Sequence, residues 1–413
     1  MKRRVVVTGL GIVTPLSCKV EDCWQKIVAG ESGISEIEIP GIDRMRSRIA
    51  GHLPNYDPSD YMERREANRL DRFSQFAMTA GCAAVKDSEF DFQNFDSWRG
   101  GVIMGSGIGG LSTIHEQMEK LIAKGPERVS PMTIPKLMLN AAGGNLSIRY
   151  GLRGPNYSVA TACASATNAM GNAYEAIRDN MIDMCITGGT ESAITPIAMS
   201  AFGNMRALSE RNDTPNKACR PFDSYRDGFV MAEGAGILVF ESLDSAKARD
   251  AKIYGEIIGY GATGDAGHIT QPAEDGMGAA AAMQAAIDDA GIDPTEIDYI
   301  NAHGTSTPLG DKAETVAVKT VFGQHAEKVS ISSTKSMVGH SLGASGGIEM
   351  VLCAKAINSN TVPPTINLES PDSNCDLDYT PNQAKSRELN IAMSNSFGFG
   401  GHNASILLRK YQD

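Results

Sequence analysis

Four short segments of the chain carry side chains whose type and setting suit covalent chemistry. The first is Ser158-Val-Ala-Thr-Ala-Cys163-Ala-Ser-Ala-Thr-Asn-Ala-Met-Gly171, a strand-like run that ends at Cys163 and gives way to small residues. A helix that is small and nearly apolar on every side must be buried against close neighbours. At its N-terminus Cys163 would meet free N–H groups and the positive end of the helix dipole, which favour a low-pKa thiolate. That is the strand-turn-helix setting of a nucleophile elbow; the alternative is an inert core cysteine. In the second segment, Tyr299-Ile-Asn-Ala-His303-Gly-Thr305-Ser-Thr307-Pro, a hydrophobic strand delivers His303 into a loop of Gly and hydroxyl residues. Loops at strand ends are the usual address of reactive groups. The third, Ser332 to Glu349, places Lys335, His340 and Glu349 in one Gly-rich stretch entering a helix; the plain alternative is a solvated Lys–Glu pair. The fourth, Asn395-Ser-Phe-Gly-Phe399-Gly-Gly-His402-Asn403, has the glycine density of a loop whose backbone approaches a ligand closely.

The elements that must hold these groups alternate between short β-branched runs and longer helical stretches, the pattern of an α/β protein with mostly buried strands. Strands are expected at 5–8, 102–105, 184–187, 236–241, 253–261, 299–302, 329–332 and 404–408, with helices at 72–86 and 278–290. The turn Gly105-Ser-Gly-Ile108-Gly-Gly110 follows a strand, but its spacing fits a dinucleotide fingerprint poorly, and it reads as a tight turn. There is also an internal echo. Val5-Val-Val-Thr-Gly-Leu-Gly11 is mirrored by Ile257-Ile-Gly-Tyr-Gly261, and the approach to Ile237-Leu-Val-Phe240 by the approach to Ile406-Leu-Leu408. Two such copies point to a duplicated α/β unit that divides near residue 250.

Length and charge bound the rest. The 413 residues are ample for a large core, and a net charge of −11 supplies no global field for nucleic acid or an anionic membrane. No apolar run approaches a membrane span, and a strand starting at Val5 leaves no room for an export signal, so a cytoplasmic protein is expected. The eight cysteines show neither a C-x-x-C pair nor zinc-ligand spacing with histidine. Most are expected to be small buried hydrophobes.

Taken together, the four segments resemble those of the β-ketoacyl-acyl-carrier-protein synthases, the elongating condensing enzymes of the thiolase-like superfamily. His303-Gly-Thr-Ser-Thr-Pro and Lys335-Ser-Met-Val-Gly-His340 carry the likeness, which continues through Arg220-Pro-Phe-Asp, Asp227-Gly-Phe and the Phe-Gly-Phe-Gly-Gly loop. The resemblance implies an α/β thiolase-like fold of duplicated βαβαβαββ halves in a five-layer α-β-α-β-α arrangement. Residues 1–250 would bear Cys163, and 251–413 would bear His303 and His340. It implies a type II enzyme that elongates fatty acids; type I synthases and polyketide ketosynthases are the nearest alternatives, and a non-catalytic chain-length-factor-like partner is a different one. Cys163 would take up the acyl group, and His303 and His340 would assist decarboxylation of malonyl-carrier. The N–H groups of Cys163 and Phe399 would form the oxyanion hole, and Lys335 with Glu349 would orient the histidines. Thr305 and Thr307 match pantetheine-binding positions, and Ile108 and Phe202 match the apolar gate of type II enzymes. Arg64, Arg65, Arg69, Arg128 and Arg206 would form a basic patch for an acidic acyl carrier protein, interrupted by Asn68. Asn301, Ala302, Glu349, Ser394 and Asn395 correspond to a structural Na or K ion site reported in some members. No redox or organic cofactor is implied, and the assembly would be a homodimer. His402 stands where many members have Thr and is expected to act as a neutral hydrogen-bonding substitute, while the run Ala164 to Ala169 looks closer to type I.

Overall fold

The computed structural model describes residues 2–412. Ten strands form one mixed sheet. Those of the first half are β1 (Val5–Val13), β2 (Gly100–Gly105), β3 (Asn156–Val159), β4 (Met184–Glu191) and β5 (Gly234–Ser242). Those of the second are β6 (Gly255–Gly264), β7 (Tyr299–Asn301), β8 (Ser330–Ser332), β9 (Ile391–Gly398) and β10 (His402–Arg409). Their order is β3-β2-β4-β5-β1-β6-β10-β9-β7-β8. Counted from the centre, each half has its first strand inside, then its fifth, fourth, second and third. The pairings repeat as well: the inner two ladders of each half are antiparallel and the outer two parallel. The halves meet where Val5–Val7 pairs antiparallel with Gly255–Ile257. The duplication read from the sequence echo is therefore present, with both echoed pairs at equivalent strands.

Helices complete five layers. Helix α1 (Arg72–Ser88) covers the outer face of the first half, and α3 (Met277–Ala290) with α4 (Pro308–Phe322) covers that of the second. Between the halves lie α2 (Ser165–Arg178) and α5 (Ser345–Ser359), buried nearly all round. Small residues permit this packing. A Cβ at Gly9 or Gly11 would come within 2.1 or 1.8 Å of the carbonyl oxygens of Ala84 and Ala80 on α1. The echoed Gly259 and Gly261 stand in the same relation, 2.2 Å each, to Ala286 and Ala282 on α3. These glycines lie inside strands, and β1 runs on to Val13 and β6 to Gly264, beyond the expected ends at residues 8 and 261.

Among the described residues no helix is long and apolar enough to cross a membrane. All eight cysteines are free, and seven are buried.

Candidate active site

The two buried helices bring the four sequence segments to one place. Cys163 lies in the 3-10 turn Ala162–Ala164 that leads into α2, entered through Ala162 at φ +49°. His303 follows β7, and His340 follows the short helix Lys335–Val338. The reactive atoms of Cys163, His303 and His340 all lie within 4.8 Å of one another. His340 Nε2 is 3.1 Å from Cys163 Sγ, and its Nδ1 is 3.0 Å from the Ser345 hydroxyl. The two imidazoles meet edge to face, 5.4 Å between centroids. All three side chains are buried at the floor of a cavity of about 560 Å³.

Burial overrides the helix terminus at the cysteine. Desolvation pushes the Cys163 thiol up to about 11, although the Lys335 charge and the N–H groups of Phe399 and Cys163 itself pull it down. The expectation of a low-pKa thiolate is corrected: at neutral pH the resting side chain is a thiol, because a desolvated anion costs more than one helix end returns. The same two N–H groups converge on the sulfur, the arrangement expected of an oxyanion hole. Gly398 makes this approach possible, since a Cβ there would lie 2.8 Å from the Cys163 nitrogen. Burial, and then Lys335, hold both histidines well below their ordinary value, so both rings are neutral.

Lys335 and Glu349 form an ion pair in which each side chain is about 2% exposed or less, which excludes a solvated pair at a helix start. The backbone around His303 is held by two carboxylates that the sequence reading missed. Glu314 accepts from His303 N at 2.8 Å and Gly304 N at 2.7 Å. Asp311, one turn earlier on α4, accepts from Ser306 N (3.1 Å) and Phe222 N (2.8 Å), both residues at positive φ. Burial raises these carboxyls to about 7 and about 6. Their signal was two acids three residues apart on one face of a helix that is otherwise buried there.

Thr305 and Thr307 line the cavity, their hydroxyls 3.0 Å apart, and Thr307 also caps α4. Ile108 and Phe202 line it too, the Phe202 ring 6.2 Å from that of Phe399. Of the five candidate carrier-binding arginines, all are exposed, and Arg206 lines the cavity mouth. His402 is exposed and packs beside Gly400, with no side-chain hydrogen bond among the described residues. At the candidate cation site, Asn301 Oδ1, Ser394 Oγ and Glu349 Oε2 are buried without partners among the described residues, and Ser394 pairs with Asn301 across the β9–β7 ladder. Such oxygen donors fit a hard monovalent cation. The Asn395 amide is engaged instead with Ser405 (2.8 Å) and Met283, which takes that side chain out of the expected set.

The comparisons with known proteins agree with this geometry. A family model described as the β-ketoacyl synthase N-terminal domain matches residues 2–246, and one for the C-terminal domain matches 254–369. The 3-oxoacyl-[acyl-carrier-protein] synthase 2 of Synechocystis is 48% identical over 411 residues, covering 100% of this chain and 99% of that protein. A β-ketoacyl synthase from Burkholderia phymatum superimposes with a TM-score of 0.91 at 36% identity, both chains covered completely. A chain of the AntDE:AntF assembly, a type II PKS acyl-carrier protein in complex with its ketosynthase, does so at 0.92 and 34%, again covering both completely. The fold is the thiolase-like fold of ketosynthases, and the chain belongs to the β-ketoacyl synthase family.

Proposed function

We propose that the chain is a type II β-ketoacyl-[acyl-carrier-protein] synthase that lengthens fatty acyl chains by two carbons. One observation carries the reading: a thiol and two neutral imidazoles within 4.8 Å of one another, at the floor of a largely apolar cavity. In the first half-reaction Cys163 sulfur attacks the acyl thioester of the carrier. The thioester bond to pantetheine breaks, and the proton from Cys163 leaves with the pantetheine thiol. The N–H groups of Cys163 and Phe399 hold the oxyanion. In the second, malonyl-carrier loses CO₂, and the electron pair of that C–C bond becomes an enolate. The enolate carbon attacks the acyl thioester, and Cys163 departs as the leaving thiolate. In the tautomer protonated at Nε2, whose Nδ1 accepts from the Ser345 hydroxyl 3.0 Å away, His340 donates from Nε2 and with His303 stabilises the enolate oxygen. A neutral imidazole suits this donor role, because it gives a hydrogen bond without protonating the carbanion.

Thr305 and Thr307 bind the pantetheine arm, Ile108 and Phe202 border the acyl chain, and the buried Lys335–Glu349 pair fixes the field around both histidines. Asn301, Ser394 and Glu349 would hold a Na or K ion, which supplies charge balance beside that pair. No redox or organic cofactor enters these steps. The partners are acyl- and malonyl-loaded carrier protein, docking beside Arg206, and a second copy of the chain in a cytoplasmic homodimer. The terminal position of β3 in the sheet, with Tyr157 exposed on it, supports the homodimer. Intact Cys163, His303 and His340 favour an enzyme over a non-catalytic chain-length factor. The test offers purified protein acyl-carriers of graded length with malonyl-carrier and reads 3-ketoacyl products by mass. Products two carbons longer support the reading, and their absence across all lengths refutes it.

A further inference from the structure

The turn Gly105–Gly110 does hold an anion, but an internal one. Glu191, at the end of β4, is wholly buried. Its Oε1 accepts from the Ser106 hydroxyl (3.0 Å) and from the N–H groups of Ile108 and Gly109 (3.2 Å each). Its Oε2 accepts from Gly107 N (2.7 Å) and, across the boundary between the halves, from Gly343 N (3.1 Å). All five partners are neutral donors, so the carboxylate organises backbone and hydroxyl groups instead of pairing with a cation.

The duplication explains where Gly343 stands. Leu342, at φ +47°, enters the 3-10 turn Leu342–Ala344 as Ala162, at φ +49°, enters Ala162–Ala164. Each turn leads into a central helix that starts at a serine, Ser345 or Ser165. Gly343 is thus the counterpart of Cys163. In the first turn the cysteine N–H faces the sulfur; in the second the equivalent N–H is occupied by Glu191. A side chain at 343 is excluded, because its Cβ would lie 2.2 Å from Gly107 N and 2.7 Å from Glu191 Oε2. The second elbow has become an anchor. It ties together Ile108 and Leu342, both of which line the cavity, next to the Ala162 carbonyl that abuts Gly107.

We infer that Glu191 is a positioning residue for acyl-chain selection: it fixes Ile108 and Leu342 against each other and against the nucleophile turn, and so sets which chain lengths the cavity admits. This rests on the reading of that cavity as an acyl channel. The division of donors between the two oxygens shows why a carboxylate is required. An amide has one acceptor oxygen, so Glu191→Gln must abandon either the Gly107–Gly343 tie or the donors of the Ile108 side, and must point an NH₂ at N–H groups.

The test measures kcat/KM of Glu191→Gln with acyl-carriers of graded length. The ratio of long chains, which must pass Ile108, to short primers should rise on the order of tenfold, since one methylene in an apolar pocket already discriminates by such factors. Short primers should keep their parent rate and the melting temperature should change by only a few degrees. Ser106→Ala, which removes a single donor, should shift the ratio in the same direction by less, and it decides the matter if Glu191→Gln does not fold. An unchanged length ratio in the variant that folds overturns the inference, as does a uniform loss across all lengths. Failure of the parent protein to condense any acyl-carrier would instead overturn the functional reading.

Discussion

Cys163 shows how two local effects compete and how their sizes decide. The helix terminus and two N–H groups favour the thiolate, yet burial prevails and pushes the thiol to about 11. Alkylation of Cys163 by iodoacetamide should therefore accelerate about tenfold per pH unit from pH 7 to 10, because the thiolate fraction grows throughout. A plateau below pH 8 would show a thiolate already formed at rest. Lys335 makes a second residue-scale case. Removing one partner of a buried pair strands the other charge, at a cost of about 3–5 kcal/mol, whereas replacing both with apolar groups is often neutral. Lys335→Ala should lower the melting temperature markedly. Lys335→Met combined with Glu349→Leu should recover much of it while decarboxylation stays impaired, measured by thermal melts beside CO₂ release. Recovery of both together would reduce the pair to a structural role. Sequence alone identified both residues, but it could not tell a solvated pair from a buried one, since that depends on how both halves of the chain pack around them.

At the scale of elements, Ile108 lies on the turn after β2 and lines the cavity, where the proposed gate would stand. Ile108→Phe should shorten the acyl chain accepted and spare short primers, seen in kcat/KM ratios over a length series, with each lost methylene worth about 1–3 kcal/mol. An unchanged profile would remove Ile108 from the channel. The β-branched runs and the small-residue helix after Cys163 could be read directly, because strand and helix periodicity are local properties. Glycine was the harder signal. Gly9 and Gly11 lie beyond the end expected for β1, whereas Gly259 and Gly261 fall within the expected β6, and each sits in its strand so that a helix carbonyl can approach. Glu191, Asp311 and Glu314 escaped notice because most of their partners are backbone N–H groups of turns, which no side-chain pattern reveals.

Across the whole molecule, duplication places Cys163 of one half against His303 and His340 of the other, and the central helices that bring them together are buried from both sides. The echo of two short segments pointed to the duplication itself, because equivalent strands repeat the same contacts with their helices. Net charge is a poor guide to the partner surface, since the −11 total coexists with exposed arginines, one of them at the cavity mouth. Arg206→Ala should raise KM for the carrier severalfold at low salt, with the difference shrinking as ionic strength rises, because rim charges act chiefly on encounter. A KM indifferent to both substitution and salt would place carrier docking elsewhere. The central claim is that Cys163 performs acyl transfer while His303 and His340 perform decarboxylation, and separating the half-reactions tests it most directly. Labelled CO₂ release and the intact mass of the protein would be followed for Cys163→Gln and His303→Ala. Cys163→Gln should release CO₂ from malonyl-carrier without gaining an acyl group, and His303→Ala should become acylated at Cys163 while CO₂ release falls about 10²–10³-fold. An acyl group on Cys163→Gln, or decarboxylation by His303→Ala at the parent rate, would contradict the account.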